Sequence, residues 1–118
     1  MKHFRDLIAW QKSMDLVIDV YQITKSFPNS EQFGLTSQIR RAVVSVPSNI
    51  AEGNGRMSSK EFRHFLSIAN GSLREVETQL IIAQRLGYFD DENENVSNKI
   101  FEIGKLILGL IKKQDKTG

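Results

Sequence analysis

Apolar residues recur at steps of three and four along four separate stretches of this chain, the signature of helices that each bury one face. The first stretch, about 6–26, carries Leu7, Trp10, Met14, Val17 and Tyr21, with Asp6 as the expected N-cap and Phe27-Pro28 as the stop. The second, about 30–53, carries Leu35, Ile39, Val43, Val46 and Ile50. The third, about 59–86, carries Phe62, Phe65, Ala69, Leu73, Val76, Leu80 and Ala83. Ser58 and Glu61 stand three apart before it, as a capping box requires, and Gly87 supplies its stop. The fourth, about 91–113, carries Val96, Ile100, Ile103, Ile107 and Leu110. Asp91, Glu92 and Glu94 at its start and Lys112 and Lys113 at its end both suit the helix dipole, while Gln114 to Gly118 are expected to fray.

The connections are short, and short connections favour antiparallel neighbours. Gly53-Asn54-Gly55 is expected to break the second helix, and Tyr88-Phe89-Asp90 to join the third to the fourth. With two prolines and eight glycines, the chain has little material for a turn-rich β fold. Its 118 residues, 40% hydrophobic and 25% charged, amount to one globular domain. The expected fold is therefore all-α, a single antiparallel up-and-down four-helix bundle.

Pro47 falls inside the second pattern, where it removes a backbone hydrogen bond. The register of Val46 and Ile50 survives across it, which predicts one helix kinked at Pro47 rather than two helices. Gly71 lies mid-pattern in the third helix, a position that suits close helix approach at about 1 kcal/mol against alanine. Helix one has a second apolar set, Ala9, Leu16, Val20 and Ile23, and helix two has Val44, Pro47 and Ala51. One packing seam does not need that much apolar surface, so the surplus points to a subunit interface.

Several chemistries drop out. With no cysteine there are no disulfides, thiolate metal sites or cysteine nucleophiles, which fits a reducing, cytoplasmic setting. Met1 to Asp6 lacks the long apolar stretch of a signal peptide, and Ile103 to Ile111 is too short to span a bilayer. No phosphate loop, dinucleotide fingerprint or Gly-x-Ser-x-Gly elbow is present. Glu61-Phe62-Arg63-His64 has the Glu-x-x-His spacing of a di-iron bundle, but His3, the other histidine, has no glutamate three residues before it. Glu61 is better explained by the capping box. No cofactor, metal or catalytic residue is expected.

Two groups of polar side chains stand out. Asn49 and Glu52 border the apolar face of helix two, and Ser72, Glu75 and Gln79 that of helix three. They are expected to meet as a semi-buried network that fixes helix register. The basic residues form the other group. Arg40, Arg41, Arg56, Lys60 and Arg63 face only Glu52 and Glu61 as acids in that stretch. Arg63, Arg74 and Arg85 recur every eleven residues, roughly 16 Å apart along one helix face. Such a set can contact phosphates, or serve as a solvated face with Arg74 paired to Glu77. A formal net charge of only +2 favours the solvated face.

Particular residues carry a family resemblance. They are Phe4-Arg5-Asp6-Leu7 with Trp10-Gln11-Lys12, Tyr21 through Pro28, Phe33-Gly34-Leu35-Thr36-Ser37-Gln38-Ile39-Arg40-Arg41-Ala42, and Val46-Pro47-Ser48-Asn49-Ile50-Ala51-Glu52-Gly53. Lys60-Glu61-Phe62, Phe65-Leu66, Gly71-Ser72-Leu73 and Glu75-x-Glu77-Thr78-Gln79-Leu80 continue it. Together they resemble the four-helix proteins encoded in 23S rRNA intervening sequences, over nearly the whole chain. That family is similar to the accessory variability determinant of diversity-generating retroelements. The resemblance implies a ring-like homopentamer, and through those relatives an association with reverse transcriptase and nucleic acid. It brings no catalytic residues. Gly34, Pro47, Asn49, Glu52 and Glu75 match the family pattern and read as structural.

The expected function is that of a non-catalytic homo-oligomer that binds RNA or DNA through Arg40, Arg41, Arg56, Lys60, Arg63, Arg74 and Arg85. The alternative is a scaffold that binds a partner protein.

Overall fold

The structure is a computed structural model and describes residues 3–117. The expectations for Met1, Lys2 and Gly118 fall outside the described residues. A 3-10 turn at Phe4–Asp6 leads into α1 (Ile8–Thr24), and a second at Asn29–Glu31 leads towards α2 (Leu35–Asn54). Helix α3 spans Ser59–Arg85, and a third 3-10 turn at Glu92–Glu94 precedes α4 (Asn95–Thr117). Each helix packs on two others: α2 lies against α1 and α3, and α4 against α3 and α1. The diagonal pairs α1–α3 and α2–α4 make no backbone contact among the described residues. That closed circuit is a four-helix bundle.

Its centre is aliphatic. Leu16 and Val20 of α1, Ile39, Val43, Val46 and Ile50 of α2, Leu66, Leu73 and Val76 of α3, and Ile100, Ile103 and Ile107 of α4 are fully buried. Burial of each such side chain contributes about 1.5–3 kcal/mol, which makes this core the main term holding the helices together. Contacts between α2 and α3 descend one helix as they climb the other. Gly53 meets Phe62 and Phe65, the Ser45 hydroxyl meets Ser72, and Gln38 meets Gln79.

On α1 the two apolar stripes compete, and the bundle axis selects the second. Ala9, Leu16 and Val20 are buried together with Ser13 and Thr24, while Leu7, Trp10 and Val17 are half-buried and Met14 and Tyr21 are exposed. The buried hydroxyls are satisfied within their own helix: Ser13 Oγ donates to the Ala9 carbonyl at 2.6 Å and Thr24 Oγ1 to that of Val20 at 2.8 Å.

The helix ends show where local signals sufficed. Ser58 Oγ accepts from the Glu61 amide at 3.1 Å and caps α3. At the other end, Gly87 (φ 80°) takes the left-handed conformation. The Tyr88 amide then reaches the Ala83 carbonyl and the Gly87 amide that of Gln84, the paired bonds of a Schellman stop.

Other ends are held differently from expectation. Leu7, not Asp6, occupies the N-cap of α1, because Asp6 is taken into the preceding 3-10 turn. Helix α2 begins at Leu35 rather than near Ser30, and its first amide is bound by the Glu31 carboxylate at 3.1 Å. Helix α4 begins at Asn95 rather than Asp91. Asn93 and Glu94 both adopt positive φ, which lets Asp91 turn back onto the helix start. Helix α4 also continues through Thr117 instead of fraying from Gln114.

One glycine assignment holds and one does not. Helix α2 runs through Pro47 as one helix and stops in Gly53-Asn54-Gly55 as expected, with Asn54 its last residue and Gly55 its C-cap. Gly53 has a second role. It is buried against α3, where an added Cβ would stand 2.6 Å from Phe65 Cβ and 3.0 Å from Phe62 Cδ1. Gly71 meets nothing within 4 Å and faces outward, so it serves no close approach inside the bundle.

Candidate nucleic-acid interface

The bundle distributes the seven basic side chains over several surfaces. Arg40 Nε donates to Thr24 Oγ1 at 2.8 Å, and its guanidinium lies over the Tyr21 ring, 4.6 Å from the centroid. Arg41, one residue on, is exposed and has no acid partner among the described residues. Both line a groove between α1 and α2 with Tyr21, Gln32, Phe33, Thr36, Ser37 and Val44. No carboxylate lines that groove.

A second basic group sits at the opposite end. Lys60, Arg63, His64 and Ser67 of α3 line a shallow depression with Ile111 of α4. Arg63 is ion-paired with Asp115, so the end of α4 neutralises one of these charges. Arg56 pairs with Glu52 at 3.2 Å and lies over the Phe65 ring. Arg74 is held by Glu77 at 2.8 Å, and its Nη2 lies where a Cβ on Gly104 would be 2.6 Å away. Arg85 is exposed in the last turn of α3. The eleven-residue spacing therefore does not yield three equivalent free charges: α4 and Glu77 engage two of them. These exposed pairs each contribute roughly 0–1 kcal/mol, so a polyanion can displace them at small cost.

The polar side chains of α2 and α3 form a shorter chain than expected, centred on a residue outside the predicted set. Asn49 Nδ2 donates to the Ser45 carbonyl and hydroxyl, both at 2.8 Å, and Ser72 Oγ donates to Ser45 Oγ at 3.0 Å. Ser45 was recoverable from spacing, one turn before Asn49 on the same face. Glu52 is outside this chain, because Arg56 one turn on captures its carboxylate at the surface. Glu75 is exposed on the rim of a small groove with Gln38, Arg41, Ala42, Ser45 and Ser72. Gln79 is buried separately and reaches Gln38 with a long 3.5 Å contact, while its Oε1 has no protein partner.

Two acids that precede helix starts are committed to the fold. Asp91 accepts from the Val96 and Ser97 amides at 2.8 and 3.0 Å and from the Ser97 hydroxyl at 2.6 Å. Burial pushes its pKa up, but the Ser97 hydroxyl and the two amides outweigh that and hold it below the ordinary aspartate value. Glu31 is likewise held low, first by the Leu35 amide and then by the Tyr88 hydroxyl, which donates at 2.8 Å. Among the described residues, no group of three or more His, Asp or Glu is placed to hold a metal ion. Glu61 and His64 are both exposed, and the His64 ring packs edge-on against Phe65. No helix among the described residues is long and apolar enough to cross a membrane.

A family model described as 23S rRNA-intervening sequence protein matches residues 5–109, from the first 3-10 turn well into α4. The chain belongs to the 23S rRNA-intervening sequence protein family. A crystal structure of a protein of unknown function from the S23 ribosomal protein family of Bacteroides thetaiotaomicron VPI-5482 is similar to this family member. It has a TM-score of 0.81 and 29% sequence identity, covering 89% of this chain and 96% of that one. Curated proteins contain no significant match. Within this 23S rRNA-intervening sequence protein, reading the sequence by apolar period passed over Phe33 and Tyr21 as members of the arginine groove. Phe33 lies outside the buried register of α2, one residue before Gly34. An aromatic placed there, beside two consecutive arginines, was the available signal.

Proposed function

We propose that this protein is a non-catalytic, homo-oligomeric helical bundle that binds RNA or DNA through its basic surface side chains. The observation that carries the reading is the arginine groove: Arg40 and Arg41 line it and, among the described residues, no carboxylate lines it and Arg41 has no acid partner. Lys60, Arg63, Arg56, Arg74 and Arg85 extend the positive surface, with five of the seven on α3 or the turn before it. The names of the matched family and of the similar crystal structure refer to 23S rRNA and to a ribosomal protein family. Self-association would cover the outward Met14 and Ile18 of α1 and would repeat the basic sites for avidity. The absence of cysteine suits a cytoplasmic setting.

Fluorescence anisotropy of labelled structured RNA and duplex DNA, titrated at low and near-physiological salt, tests the reading. Binding that weakens steeply with salt, and that falls when Arg41 and Lys60 are both changed to Glu, is the expected result. No binding at low salt would overturn it.

A second reading is favoured by a different observation. Ile81 and Ile82 of α3, Leu86 at its C-cap, and Phe101 and Leu108 of α4 are exposed. A scaffold that docks a partner protein would use such surfaces. Co-purification of one stoichiometric protein that survives nuclease treatment would favour the scaffold over the nucleic-acid reading.

A further inference from the structure

The groove between α1 and α2 holds more than charge. Phe33 stands on its rim, in the turn before α2, with 91% of its surface exposed. Solvent covers nearly the whole ring, so Phe33 does not stabilise the core. At the groove floor the Arg40 guanidinium lies over the Tyr21 ring, 4.6 Å from its centroid, and is fixed by its bond to Thr24. Thr36, Ser37 and Gln32 add short hydrogen-bonding groups, and Arg41 adds a free cation. Glu31, two residues before Phe33, is occupied by the Leu35 amide and the Tyr88 hydroxyl, and Glu75, which lines a neighbouring groove with Arg41, makes no ion pair with it. The groove is open to solvent and has a volume of about 550 Å³.

A planar apolar face, polar groups of both hydrogen-bonding senses and an unpaired cation together match one nucleotide. Its base stacks on an aromatic ring, its sugar and base edge take hydrogen bonds, and its phosphate takes the arginine. In a duplex the base faces are already stacked on their neighbours and are not available to a side chain.

From this we infer that the groove of Tyr21, Phe33, Thr36, Ser37, Arg40 and Arg41 binds an unpaired nucleotide of a single strand, with the base on Phe33 and the phosphate on Arg41. The inference rests on the nucleic-acid reading above and sharpens it from a diffuse basic surface to a stacking site. Ordered side chains already form the floor, so little conformational freedom is lost there on binding. Arg40 acts mainly as part of that floor, whereas Arg41 carries the charge contact.

The test uses three fluorescein-labelled probes with the full chain: a twelve-residue oligouridylate, the corresponding oligothymidylate, and a duplex of the same length. Phe33→Ala is expected to weaken the single strands roughly ten-fold while leaving duplex affinity unchanged, and Phe33→Trp to restore it. Arg41→Gln is expected to lower the single-strand salt slope by about 0.7, the value for one phosphate contact. A 4-thiouridine probe is expected to cross-link to the peptide that contains Phe33. Tighter binding of the oligouridylate than of the oligothymidylate would assign the site to RNA, and equal binding to single strands of either sugar. Unchanged single-strand affinity in Phe33→Ala, with duplex and structured RNA still bound, would overturn the stacking site and leave the basic-surface reading standing. Failure of every probe to bind at low salt would overturn both. Sedimentation velocity on Phe33→Ala supplies the last arm. A change of oligomeric state would make Phe33 a contact between copies and would overturn the inference.

Discussion

The end of α1 separates two grooves of opposite character. On one side Asp19, Gln22 and Ile23 face Phe89, Asp90, Asp91, Glu92, Asn95 and Val96, in a groove of about 290 Å³. On the other side Tyr21 faces the α2 arginines. The first groove has four acids, and the fold uses two of them. Asp91 binds the start of α4 through two amides and a hydroxyl, and Asp19 pairs with Lys99 at 2.5 Å. In the arginine groove, Arg40 is used by the fold and Arg41 is not. Each groove therefore has charges that the fold engages, Asp19 and Asp91 in one and Arg40 in the other, and charges with no ion pair among the described residues, Asp90 and Glu92 in one and Arg41 in the other. The formal charge of +2 conceals this, because it counts charges without regard to what already engages them.

The largest expected effect lies away from both grooves and gives them a scale. Gly53→Ala places a Cβ 2.6 Å from Phe65 Cβ, a rigid neighbour, so α2 and α3 must shift apart. Over-packing of this kind costs about 1–3 kcal/mol, and alanine returns up to about 1 through helix propensity. Urea denaturation should show a clear loss of stability; a midpoint at or above wild type would mean that this seam is not tightly packed.

Asp91→Ala comes next and tests the acidic groove. Loss of an N-terminal cap costs about 1 kcal/mol. The same site predicts a pH dependence. Its folded pKa lies below the ordinary aspartate value, so its stabilisation is complete above about pH 4 and is lost as pH falls through that lower value. Glu31 follows the same sign, because its pKa is also lowered. Wild type should lose stability more steeply than Asp91→Ala as pH falls from about 5 to 2. Parallel curves would remove Asp91 from the list of groups that link folding to pH.

The smallest effect is expected at Arg41. Arg41→Gln should change stability by no more than about 0.5 kcal/mol, because no fold contact depends on the charge. A loss comparable with that of Asp91→Ala would break the contrast between the grooves.

Four helices were legible because helical period is a local property, and so were the Ser58 cap and the Gly87 stop. Which α1 stripe lies inside was not legible. Leu7, Trp10, Met14, Val17 and Tyr21 have as good a helical register as Ala9, Leu16 and Val20, and only the positions of α2 and α4 choose between them. The same holds for the candidate site. The seven basic residues could be counted, but their partners were distant in sequence or on the next turn. Asp115 is 52 residues from Arg63, and Thr24 is 16 residues from Arg40.

By itself the sequence determined the number and type of elements and their apolar faces, since backbone hydrogen bonding and side-chain period act over a few residues. Tertiary structure decided what those elements leave over. It buried Gly53 against two phenylalanines, paired Arg63 with Asp115 and brought the Tyr88 hydroxyl to Glu31. It also left Phe33 and Arg41 uncovered at one groove. Burial and charge pairing depend on distances between segments far apart in the chain, and those distances exist only once the bundle has closed.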